Sequence, residues 1–287
     1  MDIPEALDDP GRIVDIGVTR LWCSDLGEGD PVVLLGGFTA GHHVWDFVRP
    51  YLSGLRSITW EPRGLGRSDR PDGRYSVGLW ADDLALLLDS LEVERAHLWA
   101  AGFGNYIAVR FAARYPGRVG AVAGYTDIWA GDPGKAYGKI WNVYSAIVEN
   151  FGTTGFGARM LTGIFDVPLS WFPSWEARNV EEVLHGDTVE RTIGYCLTEA
   201  DVRDDLPLVH APFLVVQGDM GWAGERVAPE SDDSLQLMRR SLPQLELAVI
   251  PDSHAAYVLA QRPREYAEAA LAFLAAHPLA GAGGSAG

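Results

Sequence analysis

Apolar positions along the chain fall into a recurring alternation of strand-like and helix-like patterns. PVVLLGG at 31–37 is continuously apolar and ends in glycines, as a strand buried on both faces would. Two shorter strand-like runs precede it, near Ile13–Val18 and Arg20–Ser24, and another follows near Ser57–Trp60. Val44–Leu52 reads as a helix between the two buried runs. Trp80, Leu84, Leu87, Leu88 and Leu91 fall at i, i+4, i+7, i+8 and i+11, one face of an amphipathic helix. The run AHLWAAGFGNYIAVRFAARYPGRV then predicts strand, tight turn and helix, with Pro116–Gly117 as the stop. Ala121–Thr126 is a further strand.

The alternation resumes near residue 211 with the strand PFLVVQG, a helix over Ser234–Leu242, the strand LELAVI and a closing helix over Glu265–Ala276. Strands alternating with helices of this length imply an α/β domain with a mostly parallel sheet wrapped by helices. Between the two halves, 129–205 has no strong strand signal and is rich in aromatic residues, which predicts a helical insertion capping the sheet. The expected organisation is a core of 1–128 and 206–279, a cap of 129–205, and a flexible tail of 280–287 reading AGAGGSAG.

Composition narrows the function classes. The net charge of −16 would repel phosphate backbones and anionic bilayers, so neither nucleic acid nor a membrane surface is an expected partner. No apolar run approaches the ~20 residues of a membrane span, and MDIPEALDDP lacks the basic-then-apolar pattern of a secretory signal. Cys23 and Cys196 are isolated, with no metal-ligand spacing, so a reduced cytoplasmic setting and no bound metal are expected. GFGNY lacks the spacing of a dinucleotide fingerprint, and no cofactor is implied. The expected partner is a small-molecule substrate or ligand, with the oligomeric state left open.

Four segments in order carry a resemblance to the α/β-hydrolase superfamily. LLGGF at 34–38 looks like its oxyanion loop, and EPRGLGRSDRP at 61–71 is similar to its acidic-x-Arg-Gly-x-Gly-x-Ser segment. AGFGN sits where its nucleophile elbow lies, and IPDSHAAYVLAQRP at 250–263 looks like the segment delivering its catalytic histidine. The nearest branch in pattern is the capped group of enol-lactonases, epoxide hydrolases and C–C-bond hydrolases. The resemblance implies a mostly parallel eight-stranded sheet flanked by helices, with a helical cap. In such an elbow a strained strand-to-helix turn projects the nucleophile beside free backbone N–H groups. Here the turn reads Ala100–Ala101–Gly102–Phe103–Gly104, with glycine at the nucleophile position.

The resemblance makes His254 the catalytic histidine and gives the oxyanion donors as the backbone N–H groups of Phe38 and Phe103. The family's acid follows the strand FLVVQ in a Gly-x-x-Asp pattern, but here Gly221 stands in that place. Asp219, two residues earlier, and Asp127, at the end of the preceding strand, are the leading candidates for the acid, with Glu225 behind them. Tyr125, Trp129, Trp141 and Trp171 are expected to line the cavity. Ser68 reads as a turn residue, His42 and His43 as the start of the first helix, and Asp82 and Asp83 as solvated helix acids. The combination points to a cofactor-free enzyme in which His254 is a general base facing a backbone oxyanion hole. The substrate would be a small apolar or aromatic carbonyl compound, and the chemistry lyase, isomerase, cyclase or water-activating hydrolase. A non-catalytic binder or receptor, and a serine hydrolase whose nucleophile was replaced, are the alternatives.

Overall fold

The computed structural model describes residues 10–37, 41–124, 179–180, 182–188, 191–192, 196, 200–221, 224–228, 231–255 and 257–279. Eight strands build one sheet: β1 (Arg12–Asp15), β2 (Arg20–Leu26), β3 (Asp30–Leu35), β4 (Leu55–Trp60), β5 (Ala96–Ala100), β6 (Val119–Gly124), β7 (Phe213–Met220) and β8 (Leu245–His254). Their spatial order is β1-β2-β4-β3-β5-β6-β7-β8. The pairings β1–β2 and β2–β4 are antiparallel, and every pairing from β4 to β8 is parallel. The expected fold, a mostly parallel eight-stranded sheet with flanking helices, is therefore the observed one. Every residue of β5 and β6 is buried, which is why their sequences show no polar alternation.

Five α-helices are described: α1 (Val77–Ser90), α2 (Gly104–Arg114), α3 (Asp233–Ser241), α4 (Val258–Gln261) and α5 (Pro263–Ala276). α1 packs on α2, α2 lies against β3, β5 and β6, and α5 covers β6, β7 and β8. The interior between them is aromatic. Trp45 meets Trp99 edge-on at 5.8 Å, and the Trp99 Nε1–H donates to the Tyr266 hydroxyl at 3.2 Å. No described helix is long and apolar enough to cross a membrane.

Several local expectations are corrected. The helix expected over Val44–Leu52 is instead two 3₁₀ segments, His42–Phe47 and Arg49–Tyr51. Pro50 has no N–H to continue an α-helical ladder, and the chain closes i→i+3 bonds such as Val48 N–H to Trp45 O at 2.9 Å. Asp83 is not solvated: it is buried and takes the Arg63 guanidinium at 2.5 and 2.6 Å, whereas its neighbour Asp82 is half-buried and bonds Arg114. Ser68 does serve the turn, accepting the Trp22 N–H at 2.8 Å and donating to Glu61 O at 2.6 Å.

Most of the segment expected to form a cap lies outside the described residues. Its C-terminal part docks on the glycine-rich loop after β4: Gly66 N–H donates to Val183 O at 2.7 Å, and Thr188 Oγ1 donates to Gly64 O at 3.1 Å.

Candidate active site

The parallel strands β3, β5 and β7 run in the same direction, so the turns that follow them gather at one edge of the sheet. After β5 the chain makes a tight turn into α2, with Ala101 N–H donating to Leu35 O at 2.8 Å and Asn105 N–H to Gly102 O at 3.1 Å. Gly102 sits at its tip with φ 54°, in the left-handed region. The small-residue demand is steric. A Cβ on Gly104 would stand 2.1 Å from Leu35 O, so only glycine lets α2 start this close to β3. Phe103 opens α2, stacked on Tyr106 at 4.8 Å and edge-on to Trp80 at 6.2 Å. Its backbone nitrogen lies 3.6 Å from where a Cβ on Gly37 would be, which brings the loops after β3 and β5 together.

His254 ends β8. A register irregularity between Gly218 and Met220 displaces the strand ends and pairs Met220 with His254. Gly218 permits it, since a Cβ there would meet Ser253 O at 2.0 Å. The histidine is 3% exposed. Its backbone N–H donates to Gln261 Oε1 at 2.6 Å, and its ring tilts against Tyr257 at 5.1 Å. Nε2 has no hydrogen-bond partner among the described residues, although the residue is engaged elsewhere. Burial pushes its pKa below the ordinary 6.5, opposed by the charge of Glu225. The ring is therefore neutral near pH 7, the form a base requires.

The acids divide sharply. Asp219 accepts the Asp252 N–H at 2.7 Å and pairs with Arg226, which also holds Asp252. That carboxylate ties the end of β7 to the end of β8 through Arg226 and the Asp252 N–H. Glu225 takes a different path. The segment after β7 folds back on itself, with Gly221 N–H donating to Glu225 O at 2.8 Å and Met220 bridging Arg226. A Cβ on Gly221 would lie 2.3 Å from Glu225 Oε1, so this carboxylate fills the space a side chain at 221 would take. Phe38, Tyr125, Asp127, Trp129, Trp141 and Trp171 lie outside the described residues.

A family model described as the alpha/beta hydrolase fold matches residues 30–260, a span that takes in Gly102, Phe103, Asp219, Glu225 and His254. The chain belongs to the alpha/beta hydrolase family. Among curated family members it is 26% identical over 252 residues to an AB hydrolase superfamily protein, YisY, of Bacillus subtilis, covering 83% of this chain and 89% of the relative. It is 29% identical over 218 residues to the 2-hydroxy-6-oxo-2,4-heptadienoate hydrolase of Pseudomonas putida, covering 68% of this chain and 79% of that one. The enol-lactonase of Burkholderia xenovorans superposes with a TM-score of 0.74 at 20% identity, over 92% of this chain and 100% of the other.

The structure shows the tight turn at Gly102 and the histidine at the end of β8 where the resemblance of AGFGN and IPDSH to family segments implies them. Glu225, expected behind Asp219 and Asp127 as the acid, stands four residues after the glycine whose space its carboxylate fills. The missing side chain at Gly221 was the available signal.

Proposed function

We propose that this hydrolase-family protein is a cofactor-free enzyme that uses His254 as a general base and no serine nucleophile. The observation that carries the reading is Gly102 at the tip of the strand-to-helix turn, φ 54°, where a side-chain nucleophile would project. Without one, no acyl-enzyme forms. A base and backbone donors suffice for proton abstraction beside a carbonyl, or for attack by an activated water. His254 takes the proton from the carbon next to the carbonyl. The enolate oxygen is held by the N–H groups of Phe103 and Phe38, and the proton returns to carbon elsewhere in the product. Glu225, in the space beside Gly221, supplies the charge that stabilises the imidazolium formed midway, in place of Asp219 or Asp127. The name of the 29%-identical relative, an oxo-dienoate hydrolase, agrees with a small carbonyl compound as substrate.

The test needs no knowledge of the natural substrate. In D₂O, deuterium uptake at the carbon beside the carbonyl of phenylacetone, followed by proton NMR, reports the base directly. The wild-type protein should accelerate it, and His254→Ala should slow it by about 10²–10⁴, the usual contribution of a positioned base. A fluorophosphonate serine probe should leave the protein unlabelled. Equal exchange by wild type and His254→Ala, or phosphonate labelling of the wild type, would refute the proposal.

A further inference from the structure

A second cluster of chemistry-bearing side chains lies where the docked segment meets the core. His42 and His43 open the 3₁₀ segment after the β3 loop, both buried, with ring centroids 4.0 Å apart. Each imidazole presents Nδ1 to a carboxylate: His42 to Glu61 Oε1 at 2.7 Å and His43 to Asp46 Oδ2 at 3.3 Å. The far nitrogen of His43 meets Glu182 Oε2 at 3.1 Å, across 139 residues of sequence. The far nitrogen of His42 is buried and has no hydrogen-bond partner among the described residues, on a side chain that is 1% exposed. One ring nitrogen from each histidine and one Glu182 oxygen lie within 4.8 Å of one another.

We infer that His42, His43 and Glu182 form a binding site for a divalent transition-metal ion of the zinc class, which pins the docked segment to the core. Two imidazoles and one carboxylate suit zinc and its neighbours rather than calcium or magnesium, which prefer oxygen ligands alone. Bonds of about 2.0–2.2 Å place ligand atoms about 3.4 Å apart around a tetrahedral ion. The His43–Glu182 separation already meets that spacing, and Glu182, 37% exposed, has room to close the rest.

The surroundings are those of a metal ligand set. Ligating histidines characteristically hold their other nitrogen against a carboxylate, which fixes the tautomer and raises ligand basicity. Glu61 and Asp46 do so here. Glu61 is itself fixed, because its second oxygen accepts Arg67 N–H at 2.6 Å. A Cβ on Gly66 would stand 2.1 Å from that carboxylate, so the glycine-rich loop is shaped around it. Arg67 takes the other Glu182 oxygen and orients the carboxylate from outside. Three protein ligands leave the fourth position to water or an exchangeable donor.

The experiment uses tag-free full-length protein, stripped with chelator and dialysed at pH 7.5. Equilibrium dialysis with Zn²⁺ should show one ion retained per chain, and Co²⁺ in its place should give visible absorption bands of a low-coordinate site. Zn²⁺ should raise the melting temperature of the wild type. Glu182→Gln, whose amide oxygen still accepts from Arg67 and whose N–H can donate to the unprotonated His43 Nε2, should weaken retention at least tenfold. His43→Gln should do the same, with circular dichroism confirming that both variants are folded. Failure of the wild type to retain Zn²⁺ stoichiometrically, or either variant binding as tightly as wild type, would overturn the site. None of these measurements depends on the function proposed for His254.

Discussion

At φ 54° a residue with a Cβ stores about 1–3 kcal/mol of backbone strain, and glycine stores none. Gly102 thus carries neither the strain nor a side chain, and in the proposed mechanism the chemistry falls to the residues around it. His254 and Glu225 are then the pair to measure. Burial lowers the His254 pKa and the Glu225 charge raises it, so removing that charge lets the pKa fall further. An NMR titration of the His254 ring should show a lower midpoint in Glu225→Gln than in wild type. A midpoint that is unchanged, or that rises, would show that Glu225 does not act on this ring. The position of His254 could be read from the sequence because the segment that closes the last strand, IPDSH, resembles the family's histidine segment. Glu225 could not, since its placement depends on a fold-back that brings its carboxylate against the glycine at 221. His42 and His43 do open a helical segment, but what they meet there is hidden for a similar reason: Glu182, which bonds His43, is far away in the chain.

Elements were legible where burial imposes a simple pattern. β3, β5, β6 and β7 are apolar runs because both faces are covered, and α2 was bounded by glycine at its start and Pro116–Gly117 at its end. Polar boundaries were harder. β8 runs past its apolar stretch through Pro251–Ser253 to His254, held by pairing with Met220 rather than by hydrophobicity. α1 starts at Val77, before the apolar stripe that begins at Trp80, because Ser76 caps it: its hydroxyl accepts Leu79 N–H at 3.1 Å. Ser76→Ala should therefore destabilise the protein by about 1 kcal/mol in urea unfolding. Because α1 packs on α2, part of that loss should spread beyond the first turn as faster amide exchange along α1. No change in the unfolding midpoint would mean that packing alone fixes where α1 begins.

At the scale of the whole molecule, the net charge of −16 and the buried His97 respond to acid in opposite directions. Protonating surface carboxylates relieves self-repulsion in the compact state. His97 acts the other way. It is the second residue of β5, 1% exposed, and its Nδ1 has no hydrogen-bond partner among the described residues. Burial lowers its pKa below the ordinary 6.5; nearby Arg95 and His277 add to that, and Asp30 opposes it. The unfolded chain therefore takes up a proton at this residue that the folded chain resists, so stability falls as pH drops below 6.5 toward the lower folded value. His254 contributes in the same sense, while His43, with its raised pKa, contributes stability at low pH that is lost as pH rises. Melting curves of wild type and His97→Leu between pH 8 and 5.5 separate these effects, because the surface carboxylates, His254 and His43 are common to both proteins. The wild type should lose more melting temperature on the acid side than the variant, with the gap opening below pH 6.5. Parallel curves would show that His97 titrates alike in the folded and unfolded chain, and that burial in β5 does not govern its proton affinity.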